Sequence, residues 1–167
     1  MNIGELIKSK INEKGGKQLY LADEMPCSES KISRICQNKY IKTKDLIPIC
    51  IHLEYNFFND YAKYVDTLIP KGKDISLTRI YKFVTTEEMY IGKLIQKIKL
   101  ERKLTTEIFA NKIGCSERNV YKLYKKENMD THQLIKISKD LNFNLFDIYA
   151  EYIDEQIQKK KDAFGRT

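Results

Sequence analysis

The chain has 167 residues, 42% of them hydrophobic, 11% aromatic and 32% charged, which is enough apolar material for one large or two small cores and excludes wholesale disorder. Only three Pro and seven Gly interrupt it, so a mostly helical chain is expected. Lys plus Arg number 30 against 23 Asp plus Glu, a formal charge of +7 that favours an anionic partner without compelling one.

Met1-Asn2-Ile3-Gly4-Glu5 enters directly into an amphipathic pattern rather than an apolar leader, and no stretch approaches the ~20 apolar residues needed to span a bilayer. The expectation is a soluble protein of the reducing cytoplasm, with no membrane partner. Ile3, Leu6, Ile7 and Ile11 form a helical stripe that stops at Gly15-Gly16. A second helix is expected over about Lys17 to Met25. A third opens at the cap Ser28 and turns Ile32 and Ile35 inward. The fourth follows a cap at Thr43 and carries Leu46, Ile47, Ile49, Cys50 and Leu53, with Pro48 expected in the first turn or so, where a missing amide is tolerated. The fifth starts near Asn56 and buries Phe57, Phe58, Tyr61, Ala62 and Val65.

Residues 67–85 read as a connector. Pro70-Lys71-Gly72-Lys73 is a turn or loop, and residues 75–84 fit a strand (Ile75, Leu77, Tyr81, Phe83) or a helix (Leu77, Ile80, Tyr81, Val84). This stretch is too apolar for a free linker. Beyond it, Thr86-Glu87-Glu88-Met89 offers a cap and acidic first turn, predicting a helix longer than its counterpart at the start of the chain. The last helix should run on through Ile157 and Gln158, and residues 159–167 read as a fraying basic tail.

Laid over each other at a constant offset of 88, residues 3–65 and 91–153 align without a gap. Ile3-Gly4 meets Ile91-Gly92, Ala22 meets Ala110, Cys27-Ser28-Glu29 meets Cys115-Ser116-Glu117, and Leu53, Asn56, Phe58 and Tyr61 meet Leu141, Asn144, Phe146 and Tyr149. Unrelated helical segments would not share caps, turns and core positions in one register, so two tandem copies of one domain are predicted.

The stretch from Thr105 to Tyr124 carries the most information. Ala110 suits a close helix approach, Gly114 stands four residues on where a tight turn needs φ > 0, and Ser116 can cap a helix beginning at Glu117. Val120 and Leu123 would face inward, leaving Glu117, Arg118, Asn119, Tyr121 and Lys122 outward. With Ile91, Gly92 and Ile95 before it and Leu134, Ile137 and Leu141 after it, this pattern resembles the lambda-repressor-like helix-turn-helix family of phage-repressor and Cro type. The resemblance implies an all-α protein of two tandem five-helix domains, residues 1–66 and 86–158, joined by a partly apolar connector.

It also implies a function: sequence-specific recognition of double-stranded DNA by a transcriptional regulator, with helix three of one or both copies in the major groove. In the second copy Arg118 would suit guanine, Asn119 adenine, Glu117 cytosine, and Tyr121 and Lys122 nearby bases or phosphates, while Thr105 and Thr106 would donate to a phosphate. In the first copy the corresponding set is Gln18, at a phosphate-contacting position in the family, with Glu29, Ser30, Lys31, Ser33 and Arg34. Pro26 stands in place of Gly114, and its locked φ conflicts with the usual turn. Family members usually bind as dimers to paired half-sites. A covalent pseudo-dimer and a homodimer paired through helix five or the connector are both open.

The bland reading of each outward set is the solvated face of an amphipathic helix. The competing function is a protein-interaction module, antitoxin-like or anti-repressor, that keeps the scaffold without reading DNA; Pro26, Glu29 and Glu117 support it. Cys27, Cys36, Cys50 and Cys115 form no Cys-x-x-Cys pair, and His52 and His132 are isolated and expected at the surface, so neither a metal nor a cofactor is predicted. Cys27 and Cys115 are expected as buried thiols, and Tyr61, Tyr64, Tyr149 and Tyr152 as core or interface. No nucleophile triad, paired carboxylates or phosphate loop is present, and no enzyme is expected.

Overall fold

The computed structural model describes residues 1–15, 21, 22, 25, 27–69 and 90–164. Gln18, Pro26, most of the expected second helix, the alternative strand or helix at 75–84 and the last three residues lie outside this set. Among the described residues the fold is all-helical: α1 (Ile3–Glu13), α2 (Glu29–Gln37), α3 (Thr43–Leu53), α4 (Phe57–Asp66), α5 (Ile91–Glu101), α6 (Thr106–Lys112), α7 (Glu117–Tyr124), α8 (Thr131–Leu141) and α9 (Leu145–Phe164).

Local chemistry sets most boundaries. Ser28, Asn56, Thr105, Ser116 and Asp130 each accept a backbone N–H from the first turn of the helix that follows, satisfying a donor with no intrahelical partner. Glu54 and Asn142 end α3 and α8 in the left-handed region at φ 49°, and Gly15 and Lys103 adopt positive φ just after α1 and α5.

Four sequence expectations are corrected. Helix α5 begins at Ile91 behind an extended Tyr90 and matches α1 in length at 11 residues, so the first helix of the second half is not longer. Pro48 lies inside α3, in its second turn, where its ring removes the hydrogen bond to the Lys44 carbonyl. Thr43 is not the cap of α3: Lys42 holds that position, and the Thr43 hydroxyl accepts instead from Met129 N at 3.2 Å. Helix α9 continues to Phe164, which puts Lys159, Lys160 and Lys161 on ordered helix; Lys160 Nζ reaches the Ile51 carbonyl at 3.3 Å.

Helix α9 packs along α4 and against α3, and α8 packs on α4, so the two ends of the chain share one core. At its centre Phe58 stacks on Tyr149 with ring centroids 4.8 Å apart, and Tyr61 stacks on Phe146 at 4.7 Å. All four rings are no more than 1% exposed, each worth roughly 1.5–3 kcal/mol in burial. Tyr61 donates to Thr131 Oγ1 at 2.9 Å; the equivalent Tyr149 hydroxyl lies beside Thr43 but makes no full hydrogen bond.

The polar contacts across this contact region are reciprocal. Asn56 Nδ2 donates to the Ala150 carbonyl at 2.7 Å and to Asp154 at 2.8 Å, while Asn144 Nδ2 donates to the Ala62 carbonyl and to Asp66, both at 2.9 Å. Ile41 N donates to Thr131 Oγ1 as Met129 N does to Thr43 Oγ1, and Thr43 N donates to Met129 O as Thr131 N does to Ile41 O. Lys42 and Asp130 pair as an isolated antiparallel bridge between them.

Candidate nucleic-acid interface

Helices α6 and α7 and the turn between them form the candidate interface. Gly114 takes φ +66°, and a Cβ added there would meet only Lys136 Nζ, at 3.8 Å, so the turn needs the left-handed conformation rather than the space. Ser116 Oγ accepts from Asn119 N at 3.4 Å and starts α7. Val120 and Leu123 are buried, at 0% and 4% exposure, as are Phe109, Ala110 and Ile113 on the α6 side. Glu117, Arg118, Asn119, Tyr121 and Lys122 are all exposed. Among the described residues no ion pair engages Arg118 or Lys122, which leaves both cations directed at solvent.

Two sets of contacts that sequence reasoning missed hold this probe in place, and a third ties α5 to α8. A Cβ on Gly92 would fall 2.5 Å from the Leu123 carbonyl oxygen, so α5 lies directly against the C-terminal end of α7, and Gly92 N donates to Lys126 O at 2.9 Å. Lys136, on α8, donates to the Ile113 carbonyl at 3.0 Å and pairs with Asp140 at 3.0 Å, closing the C-terminal end of α6 next to the turn. Arg102 reaches the Leu141 carbonyl at the end of α8. The recurrence of Gly4 and Gly92 was visible as a repeat, but a close approach is a property of two helices and one sequence position does not reveal it.

The other predicted residues fall as follows. Thr105 accepts from Ile108 N at 3.2 Å, and Thr106 Oγ1 accepts from Lys99 Nζ at 3.3 Å. Both hydroxyls therefore remain able to donate. On α2, Glu29, Ser30 and Arg34 are exposed and Ser33 is half-buried, while Lys31 is held by Asp45 of α3 at 2.8 Å. Ser28 Oγ caps α2 through Lys31 N, and Gly4 repeats the role of Gly92: its Cβ would fall 2.5 Å from the Cys36 carbonyl oxygen, and Gly4 N donates to Asn38 O at 3.1 Å. Gln18 lies outside the described residues.

The basic surface continues past α7. Lys125 and Lys126 are exposed, Lys126 bonds Gln133 at 2.9 Å, and with Lys42 they line an open cleft beside the Lys42–Asp130 bridge. Tyr121 meets Tyr124 edge to face, and burial, with Tyr121 alongside, pushes the Tyr124 phenol up. Cys115, expected buried, is half-buried like Cys27; burial raises its thiol and Lys136 opposes the rise, so it stays a thiol rather than a thiolate at neutral pH. His132 is exposed and packs against Tyr40, with ring centroids 4.7 Å apart and planes tilted by 36°, whereas His52 is half-buried. Among the described residues no group of three or more His, Cys, Asp or Glu could hold a metal ion, and no helix is long and apolar enough to cross a membrane.

Comparison with curated proteins and with solved structures finds no match. A family model does match, over a span that runs from the helix backing α7 to the middle of α9: residues 94–155 are similar to the Cro/C1-type HTH DNA-binding domain.

Proposed function

We propose that the chain is a sequence-specific regulator of transcription that binds double-stranded DNA, reads the major groove with α7, and acts in the cytoplasm by binding rather than catalysis. One observation carries this. In a domain of a DNA-binding family, α7 turns five polar residues outward while its apolar side is locked against α5 and α6. Arg118 would pair with guanine, Asn119 with adenine, and Thr105 and Thr106 with a phosphate.

Residues 1–66 are proposed as a second copy of the domain in 86–158, with α2 as its reading helix. The support is the offset of 88, under which capping serines, the glycines behind each reading helix, the left-handed helix ends and the crossing contacts all recur. The first copy is the weaker reader, because Lys31 is already paired with Asp45, and Pro48 occupies the position at which Lys136 braces the other turn.

A shift assay on duplex DNA across a salt series tests the proposal. Affinity should fall steeply between about 50 and 200 mM salt as counterions are released. Arg118→Ala should cost about 1–3 kcal/mol and relax specificity at one base position. Glu29 and Glu117, acidic on the reading helices, favour the other reading, a protein-interaction module on the same scaffold; no binding to any duplex at low salt would favour it over DNA reading.

A further inference from the structure

The crossing contacts run both ways. Asn56 reaches Ala150 and Asp154, Asn144 reaches Ala62 and Asp66, and each partner is displaced by the same 88 residues. A head-to-tail relation would give only one of these sets. Both together are the signature of an isologous, two-fold interface, here within one chain. The Thr43–Met129 and Thr131–Ile41 bonds obey the same relation, and Lys42 faces Asp130 across its centre.

Two consequences follow for α2 and α7. Each is followed by a loop, 38–42 or 125–130, and those loops meet at the Lys42–Asp130 bridge, so the C-terminal ends of the two helices converge on the dyad. Their separation is set by a packed core, with Phe58, Tyr61, Phe146 and Tyr149 buried on it, and not by the reach of the connector. These surfaces are filled from within and offer nothing for a second chain to repeat.

The two probes are not identical. At the offset of 88, Glu29 matches Glu117 and Arg34 matches Lys122, but Ser30 stands against Arg118, Lys31 against Asn119 and Ser33 against Tyr121. Resting on the DNA-reading assignment above, we infer that one chain by itself grips a single duplex carrying two unlike half-sites in inverted orientation at one fixed spacing, with α7 on one and α2 on the other. Inversion follows because a dyad in the protein must match a dyad in the duplex; unlikeness follows because the readout positions differ while the frame does not. Lys42, Lys125 and Lys126, exposed beside the bridge in a cleft they share with Glu127 and Asp130, would then face the phosphates between the half-sites.

Selection of bound sequences from a random duplex pool with the full chain, followed by native mass measurement of the complex, tests this. The expected result is two different half-sites, inverted, with one chain per duplex. Inserting about 5 base pairs, half a helical turn, between them should lower affinity by about 10²-fold or more, to that of the better half-site alone. Arg118→Ala should weaken one half-site and leave contacts at the other. Two chains per duplex, a direct repeat, or indifference to the inserted spacer would each overturn single-chain gripping of an inverted site, and two identical half-sites would overturn the inferred unlikeness, all leaving DNA reading intact. Failure to bind any duplex at low salt would instead overturn the DNA-reading assignment itself.

Discussion

Asn56 and Asn144 make the same two hydrogen bonds in opposite directions, each donating through Nδ2 to a backbone carbonyl and a carboxylate on the other's side of the core. Each also caps its own helix, accepting from Phe58 N at 3.1 Å or Phe146 N at 3.2 Å through Oδ1. One buried amide thus starts a helix and ties it to its counterpart. Asn144→Ala should cost about 1–3 kcal/mol in urea unfolding, because it removes the cap together with both crossing bonds, to the Ala62 carbonyl and the Asp66 carboxylate. Asn144→Asp separates the two roles: it keeps the capping oxygen, loses the donor and places a carboxylate against Asp66. A loss at least as large as that of Asn144→Ala is expected; wild-type stability for Asn144→Asp would show that the crossing bonds contribute nothing.

Gly92 is where α7 is held. An added methyl would collide with backbone at the end of α7, and backbone yields less readily than a side chain. Gly92→Ala should destabilise the protein by about 1–3 kcal/mol and shift α7. DNA affinity should drop by more than the change in folded population explains, measured where the variant is still mostly folded. Unchanged melting and binding would show that α5 can retreat.

Gly114→Ala tests backbone conformation with no collision, since only Lys136 Nζ comes near at 3.8 Å. At φ +66° an alanine should cost about 1–2 kcal/mol, and Gly114→Asn less, because Asn tolerates the left-handed region. Equal losses for both variants would point to sterics instead.

Tyr61 and Tyr149 set an alkaline limit on stability. Burial pushes both phenols well above their ordinary value, and Thr131 at Tyr61 and Thr43 at Tyr149 work against the shift. In the folded protein the proton is held where the unfolded chain releases it near pH 10, so the folded state binds more protons above that pH and stability falls as pH rises. The slope should approach ~1.4 kcal/mol per pH unit for each tyrosine. Tyr149→Phe should flatten the curve above pH 10 and change little at pH 7, since its hydroxyl makes no full hydrogen bond. Tyr61→Phe should flatten it too but lose about 1 kcal/mol at pH 7 with the bond to Thr131. Chemical unfolding between pH 7 and 11 reads both; identical pH profiles for the wild type and Tyr149→Phe would rule this account out.

For the helices described on both sides of the connector, the amino-acid sequence by itself determined where most of them lie and which face is apolar. Ser28 and Ser116 as caps, Gly114 at positive φ, Val120 and Leu123 inward and Arg118 outward all follow from residue type and a 3.6-residue period, because those are interactions within one turn of backbone. The tertiary structure alone decided what lies on the far side of each buried face. Thr43 reads as a cap and serves instead as an acceptor for Met129; Asn56 reads as a helix start and is also a crossing donor; Lys136, which no local pattern singles out, closes α6. Periodicity states that a side chain is buried, but a hydrogen bond between residues some 90 positions apart depends on how two helices come together, and that is settled by the packing of the whole core.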